Sequence, residues 1–204
     1  MSEKKITFSS GPFKIEGLFN NISGYKCVVV AHPHPLYGGN MMNNVVEALC
    51  HAYNECGYSS LRFNFRGVGR SGGIYDNGRG EQEDVKAAIS SLADSGIGEI
   101  DLAGYSFGSW VIARGLKDYG KINRIILVSP PVDLFDYSCI SNAPEIKLVI
   151  AGSEDVIADW RSIEKVMPLW NPDAVLKVIE GADHFYRENS DELRKTVEEH
   201  ISAQ

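Results

Sequence analysis

One serine in this 204-residue chain stands between glycines at a spacing that chemistry can use. Gly104-Tyr105-Ser106-Phe107-Gly108 follows the apolar run that starts at Ile100 and leads into Trp110-Val111-Ile112, a stretch with helical character. A Gly-x-Ser-x-Gly between strand and helix is the pattern of a nucleophile elbow. The spacing has a steric reason. A serine lifted above the end of a strand needs a strained turn, and side chains two residues before and after it would collide with their neighbours. The helix that starts behind the serine turns its free N–H groups and the positive end of its dipole toward the reacting oxygen. Five residues alone would be weak evidence in a chain with 20 glycines; the strand before and helix after give the pattern its weight.

A serine hydroxyl attacks only when a base takes its proton, and the base needs an acid to orient it. The chain order that accompanies this elbow is serine, acid, histidine. Two histidines follow Ser106. His200 lies in a charged terminal stretch and reads as a solvated surface residue. His184, in Gly181-Ala-Asp-His184-Phe185, falls between the last strand pattern and the last helix pattern, where open sheets bind ligands. Among the carboxylates between them, Asp155 in Ala151-Gly-Ser-Glu-Asp155 leaves a strand end on a tight turn and is the preferred acid; Asp133 is the second choice. Asp183 is excluded because sequence neighbours rarely face each other. Two backbone donors complete such a site: the Phe107 N–H, and one from the loop His32-Pro-His34-Pro-Leu36-Tyr-Gly-Gly39. Pro33 and Pro35 have no N–H, which leaves His34 or, less favoured, Leu36.

Other patterns compete for attention and lose. His32-Pro-His34 suggests a metal, but no acidic or cysteine partner lies near it, and no metal or other cofactor is expected. Gly67-Val-Gly69-Arg-Ser-Gly72 fits a dinucleotide fingerprint, yet no helix opens inside it and the next strand ends in Ser106 rather than in an acid. It reads as a flexible sheet-edge connection, with Arg66 and Arg70 available to pair with carboxylates. The four cysteines (27, 50, 56, 139) form no Cys-x-x-Cys and read as reduced thiols of a cytoplasmic protein.

The elements that must hold these residues follow from hydrophobic period. Strand patterns cover 6–9, 13–19, 27–32, 59–65, 100–105, 124–129, 147–151 and 175–179; the first two form an antiparallel hairpin through Ser10-Gly11-Pro12, and several later ones are continuous β-branched runs of the kind buried on both faces of a parallel sheet. Helical periods cover 40–55, 81–93, 107–117, 159–167 and 189–201. The alternation gives an α/β fold, a mostly parallel sheet flanked by helices, in one domain over 1–204. Net charge is −7, which argues against a nucleic-acid partner. The longest apolar run, Cys27 to Ala31, is five residues against the ~20 of a membrane helix, and the polar start does not read as a signal peptide.

In order, His32 to Gly39, Arg62 to Gly72, Gly104 to Gly108, Gly152 to Asp155 and Gly181 to Phe185 together resemble the α/β-hydrolase superfamily over essentially the whole chain. The resemblance is to its small lidless serine hydrolases, of the dienelactone-hydrolase-like or Xaa-Pro dipeptidyl-peptidase-like esterase branch. It implies an eight-stranded, mostly parallel sheet with the second strand antiparallel, helices on both faces, and a Ser106–His184–Asp155 triad. Most relatives with known substrates carry a lid after the sixth strand; only 16 residues, Pro130 to Glu145, are available here. The resemblance therefore implies an open, shallow site for a small ester or thioester, rimmed by Leu36, Tyr37, Tyr105, Pro131, Phe185 and Tyr186. A peptidase of the same fold and a non-catalytic binding module are the alternatives; oligomeric state is not legible.

Overall fold

The computed structural model describes residues 3–203. Thirteen helices and strands alternate along the chain: β1 (Lys4–Ser10), β2 (Phe13–Asn20), β3 (Lys26–Ala31), α1 (Asn44–Glu55), β4 (Ser59–Phe63), α2 (Arg79–Asp94), β5 (Glu99–Tyr105), α3 (Phe107–Gly115), β6 (Arg124–Val128), β7 (Ile146–Gly152), α4 (Trp160–Trp170), β8 (Val175–Ile179) and α5 (Ser190–Ser202). They build one eight-stranded sheet in the order β1-β2-β4-β3-β5-β6-β7-β8. β2 runs antiparallel to both β1 and β4, and every other pairing is parallel. This is the α/β-hydrolase fold, without a lid.

The period of two in each strand divides the core into two layers. In β3, Cys27, Val29 and Ala31 join one buried cluster and Val28 and Val30 the other. The first cluster is closed by α2, α3 and α4 through Val85, Val111 and Ile163, the second by α1 and α5 through Leu49, Val197 and Ile201. Each fully buried valine or isoleucine contributes about 1.5–3 kcal/mol by leaving water, so this doubly covered sheet is a rigid platform for whatever its loops carry.

Several boundaries differ from the sequence reading. α1 begins at Asn44 rather than 40, because the Asn43 side chain accepts the Val45 N–H and caps the helix there. α4 runs on through Pro168 to Trp170; the proline falls in the last turn, where a missing N–H costs one bond rather than a run of them. The glycine loop after β4 is neither at a sheet edge nor untethered. β4 lies between β2 and β3, the Arg70 N–H donates to Glu16, the Ser71 hydroxyl to the Asn64 carbonyl, and the Arg66 guanidinium pairs with buried Asp84 at 2.8 Å. His200, expected in solvent, is half-buried on α5. Among the described residues no helix is long and apolar enough to cross a membrane.

Candidate active site

Four loops leaving the C-terminal ends of the parallel strands meet over β5. Ser106 lies at the sharp turn between β5 and α3 with φ +53° and ψ −119°, a left-handed conformation that a non-glycine residue adopts at a cost of about 1–3 kcal/mol. Its N–H is held by the Val128 carbonyl of β6 at 2.9 Å. The flanking glycines are required by close approach: a Cβ on Gly104 would lie 2.7 Å from the Ser109 backbone, and one on Gly108 would collide with the Ala31 carbonyl at the end of β3. Backbone packing, more than turn geometry, therefore fixes the spacing of glycines around Ser106.

The Ser106 Oγ is 3.0 Å from His184 Nε2, and His184 Nδ1 is 2.8 Å from Asp155 Oδ2. All three residues are buried. Asp155 follows β7 and His184 follows β8, so adjacent strands deliver the pair. Asp155 Oδ1 also accepts the Ile157 and Ala158 N–H groups at 2.9 and 2.8 Å. Burial pushes the Asp155 carboxyl up, but the His184 hydrogen bond and charge, the Ala158 N–H and the Ser129 hydroxyl together hold it below the usual carboxylate range. An ionised Asp155 keeps the proton on His184 Nδ1 and leaves Nε2 to accept from Ser106. The His184 carbonyl is itself held by the Tyr105 hydroxyl at 2.6 Å. Asp133, the second choice, forms no hydrogen bond or ion pair with His184, whose side-chain hydrogen-bond partners among the described residues are Asp155 and Ser106.

The loop after β3 turns through a short 3-10 segment, Pro35–Tyr37. Its two histidines have all four ring nitrogens engaged. His32 is fully buried; Nδ1 donates to the Pro33 carbonyl at 2.6 Å and Nε2 accepts the Phe65 N–H at 3.0 Å, and burial lowers its pKa to about 4. His34 Nδ1 accepts the Leu36 N–H at 3.2 Å, and its Nε2 meets the Tyr75 hydroxyl at 3.2 Å. The Leu36 N–H is thus spent inside the loop. The His34 and Phe107 N–H groups have no acceptor among the described residues, and both residues line one cavity of about 860 Å³ together with Ser106 and His184.

Residues 26–167 match the family model described as serine aminopeptidase, S33. An uncharacterized protein of Rickettsia prowazekii is 32% identical over 97% of this chain and 88% of its own length. A solved α/β serine hydrolase homologue from Coxiella burnetii is also 32% identical, with a TM-score of 0.90 over 98% of this chain and 97% of that one. An α/β serine hydrolase without a lid from Xanthomonas campestris is 27% identical, with a TM-score of 0.90 over 100% of this chain and 95% of that one. The chain belongs to the S33 serine aminopeptidase family of α/β hydrolases.

The cavity of this hydrolase differs in part from its expected rim. Tyr37, Tyr105, Pro131 and Phe185 line it; Leu36 and Tyr186 do not. Leu36 stands on the 3-10 turn and faces solvent, because the preceding His34 ring fills the space against Phe107, 4.7 Å between centroids. Tyr186 has φ +52°, which turns it into the core, where its hydroxyl meets Ser129 Oγ at 2.7 Å. Tyr186 is thereby packed behind the site, beside the Ser129 hydroxyl, rather than on its rim. Sequence reasoning missed Leu134, Phe135 and Ile157, which complete the wall. The segment between β6 and β7 that replaces a lid is pinned by aromatic stacking, Phe135 on Trp110 at 4.7 Å and Tyr137 on Trp170 at 5.1 Å. The resulting cavity is at the upper end of the ~300–1,000 Å³ typical of small-molecule sites, and it stays open to solvent through the exposed side chains of Tyr37, Leu134 and Phe185.

Proposed function

We propose that this chain is a single-domain serine hydrolase that cleaves small-molecule esters or thioesters through an acyl-enzyme. The observation that supports this reading is the continuous hydrogen-bond chain from Asp155 through His184 to Ser106, opening on an apolar cavity. His184 Nε2 takes the Ser106 proton as Oγ bonds to the carbonyl carbon. The oxyanion that develops receives the Phe107 and His34 N–H groups, which no other acceptor engages among the described residues and which need no reorganisation. The bond to the leaving oxygen or sulfur breaks as His184 returns the proton to it. Water, deprotonated by His184, then attacks the acyl-enzyme; the acid leaves and Ser106 recovers its proton. Asp155 stays ionised throughout, holding the imidazolium that forms twice per cycle.

The test is labelling by a fluorophosphonate probe together with hydrolysis of short p-nitrophenyl esters. Wild-type protein is expected to label at Ser106 and to hydrolyse the esters. Ser106→Ala is expected to lose labelling and to fall by more than about 10³-fold in rate. A variant with undiminished hydrolysis removes the serine mechanism, and an inert Ser106 in folded wild type favours a binding module.

A further inference from the structure

None of the residues lining the cavity is a lysine, arginine, aspartate or glutamate. The polar atoms that do reach it are mostly engaged. The Tyr105 hydroxyl donates to the His184 carbonyl, the Asn43 carbonyl oxygen caps α1, and both nitrogens of the His34 ring are taken. With Nδ1 accepting from Leu36, the His34 proton is on Nε2 and the ring is neutral; burial acts in the same direction by lowering its pKa. What remains for a substrate outside the reacting groups is the Asn43 amide N–H₂ and the Tyr37 hydroxyl at the mouth, both uncharged. Arg187 lies over the Phe185 ring at 5.3 Å, and the Asp183 carboxylate accepts the Phe185 N–H; both side chains are exposed and neither lines the cavity.

Resting on the serine-hydrolase reading, we propose that the site selects neutral esters carrying a bulky apolar acyl group and discriminates against substrates with a carboxylate or a free amino group in the acyl part. A carboxylate brought into this cavity loses water and gains no cation, and an ammonium gains no anion; either loss amounts to a large selectivity factor. The aromatic and aliphatic wall of Tyr37, Phe107, Leu134, Phe135 and Ile157 instead rewards each buried carbon. A cavity of about 860 Å³ leaves most of its volume empty around an acetyl group. A free α-amino group, which an aminopeptidase substrate presents, finds no acidic partner in the lining.

The experiment compares matched pairs by kcat/KM: p-nitrophenyl valerate against mono-p-nitrophenyl glutarate, the N-acetylalanine against the alanine p-nitrophenyl ester, and the cyclohexanecarboxylate against the acetate. The neutral member of each charge pair is expected to lead by at least about 30-fold, and the cyclohexanecarboxylate to lead the acetate by about 10-fold or more. Leu134→Arg, a change at an exposed wall position, is expected to narrow the valerate–glutarate gap by about 10-fold. As a readout independent of turnover, an alkyl fluorophosphonate is expected to label Ser106 at least 30-fold faster than one ending in a carboxylate. Charge pairs within threefold of each other, or equal labelling rates, overturn the selectivity and leave the serine mechanism standing. Absence of labelling by either probe removes the mechanism and the inference with it.

Discussion

Replacing Asp155 by asparagine is the most telling single perturbation of this hydrolase, because the surroundings dictate how the new amide must lie. Asp155 Oδ1 accepts two backbone N–H groups, from Ile157 and Ala158, so the asparagine carbonyl must take that position and its N–H₂ must take the place of Oδ2. That N–H₂ then points at His184 Nδ1, 2.8 Å away in the native protein. Oδ1 also lies 3.0 Å from Nδ1, but as a carbonyl already holding two N–H groups it competes poorly with the closer N–H₂. A donor there favours the tautomer in which Nδ1 accepts and Nε2, 3.0 Å from Ser106 Oγ, carries the proton. The base now carries a proton where it needs a lone pair. The loss in kcat is expected to be about 10⁴-fold, or about 5.4 kcal/mol at 1.36 kcal/mol per decade. Steady-state hydrolysis of a p-nitrophenyl ester, normalised to folded protein by circular dichroism, measures it. The acid side of the stability curve gives a second readout. The Asp155 carboxyl is held below its unfolded value of about 3.9, so its ionised form contributes stability that is present above that pH and is lost as pH falls through the depressed folded value. The variant lacks this contribution, and its stability should fall less steeply below pH 4. A folded Asp155→Asn within tenfold of wild-type kcat would refute the assignment of Asp155 as the orienting acid.

Two further perturbations probe the frame. Gly39→Ala drives a Cβ into the Pro33 carbonyl and to 2.7 Å from the His34 carbonyl, displacing the loop that carries the His34 N–H; in protein shown to be folded by circular dichroism, kcat should fall by about 10²–10³-fold, and retained kcat would count against His34 as an oxyanion donor. Arg66→Met strands the fully buried Asp84 carboxylate, and urea unfolding should show a loss of about 3–5 kcal/mol, partly recovered by adding Asp84→Asn; a loss under 1 kcal/mol would mean the pair is not structural.

The residues around the elbow were legible because their signal is local. A strand, a glycine-spaced serine and a helix succeed one another within thirteen residues, Ile100 to Ile112, and the acid and histidine each follow a strand pattern closely. The sheet was legible for the same reason: runs such as Cys27–Ala31 are apolar at every position, as double burial demands. The wall of the cavity was not. Leu134, Phe135 and Ile157 stand in irregular segments with no period to say which way they point, and their direction is set by partners far away in sequence such as Trp110. Tyr186 is aromatic like the rim residues, but its positive φ, which sequence does not reveal, sends its ring into the core while Phe185 stays exposed. The same limit applies at Leu36, where a 3-10 turn gives successive residues different faces and the His34 ring occupies the inner one.

His184 is delivered by β8, the strand at the open edge of the sheet, which pairs with β7 alone. Three of its five residues, Val175, Lys177 and Val178, are more than a third exposed. Edge strands with little buried surface open locally at a smaller free-energy cost than the centre of a sheet. The base proposed for the reaction is thus mounted on an edge strand, while the proposed nucleophile is mounted on β5, in the middle of the sheet. On the proposed mechanism, inactivation and denaturation would be separate events: detachment of one edge strand would silence Ser106 while the rest of the sheet and the elbow itself remain assembled.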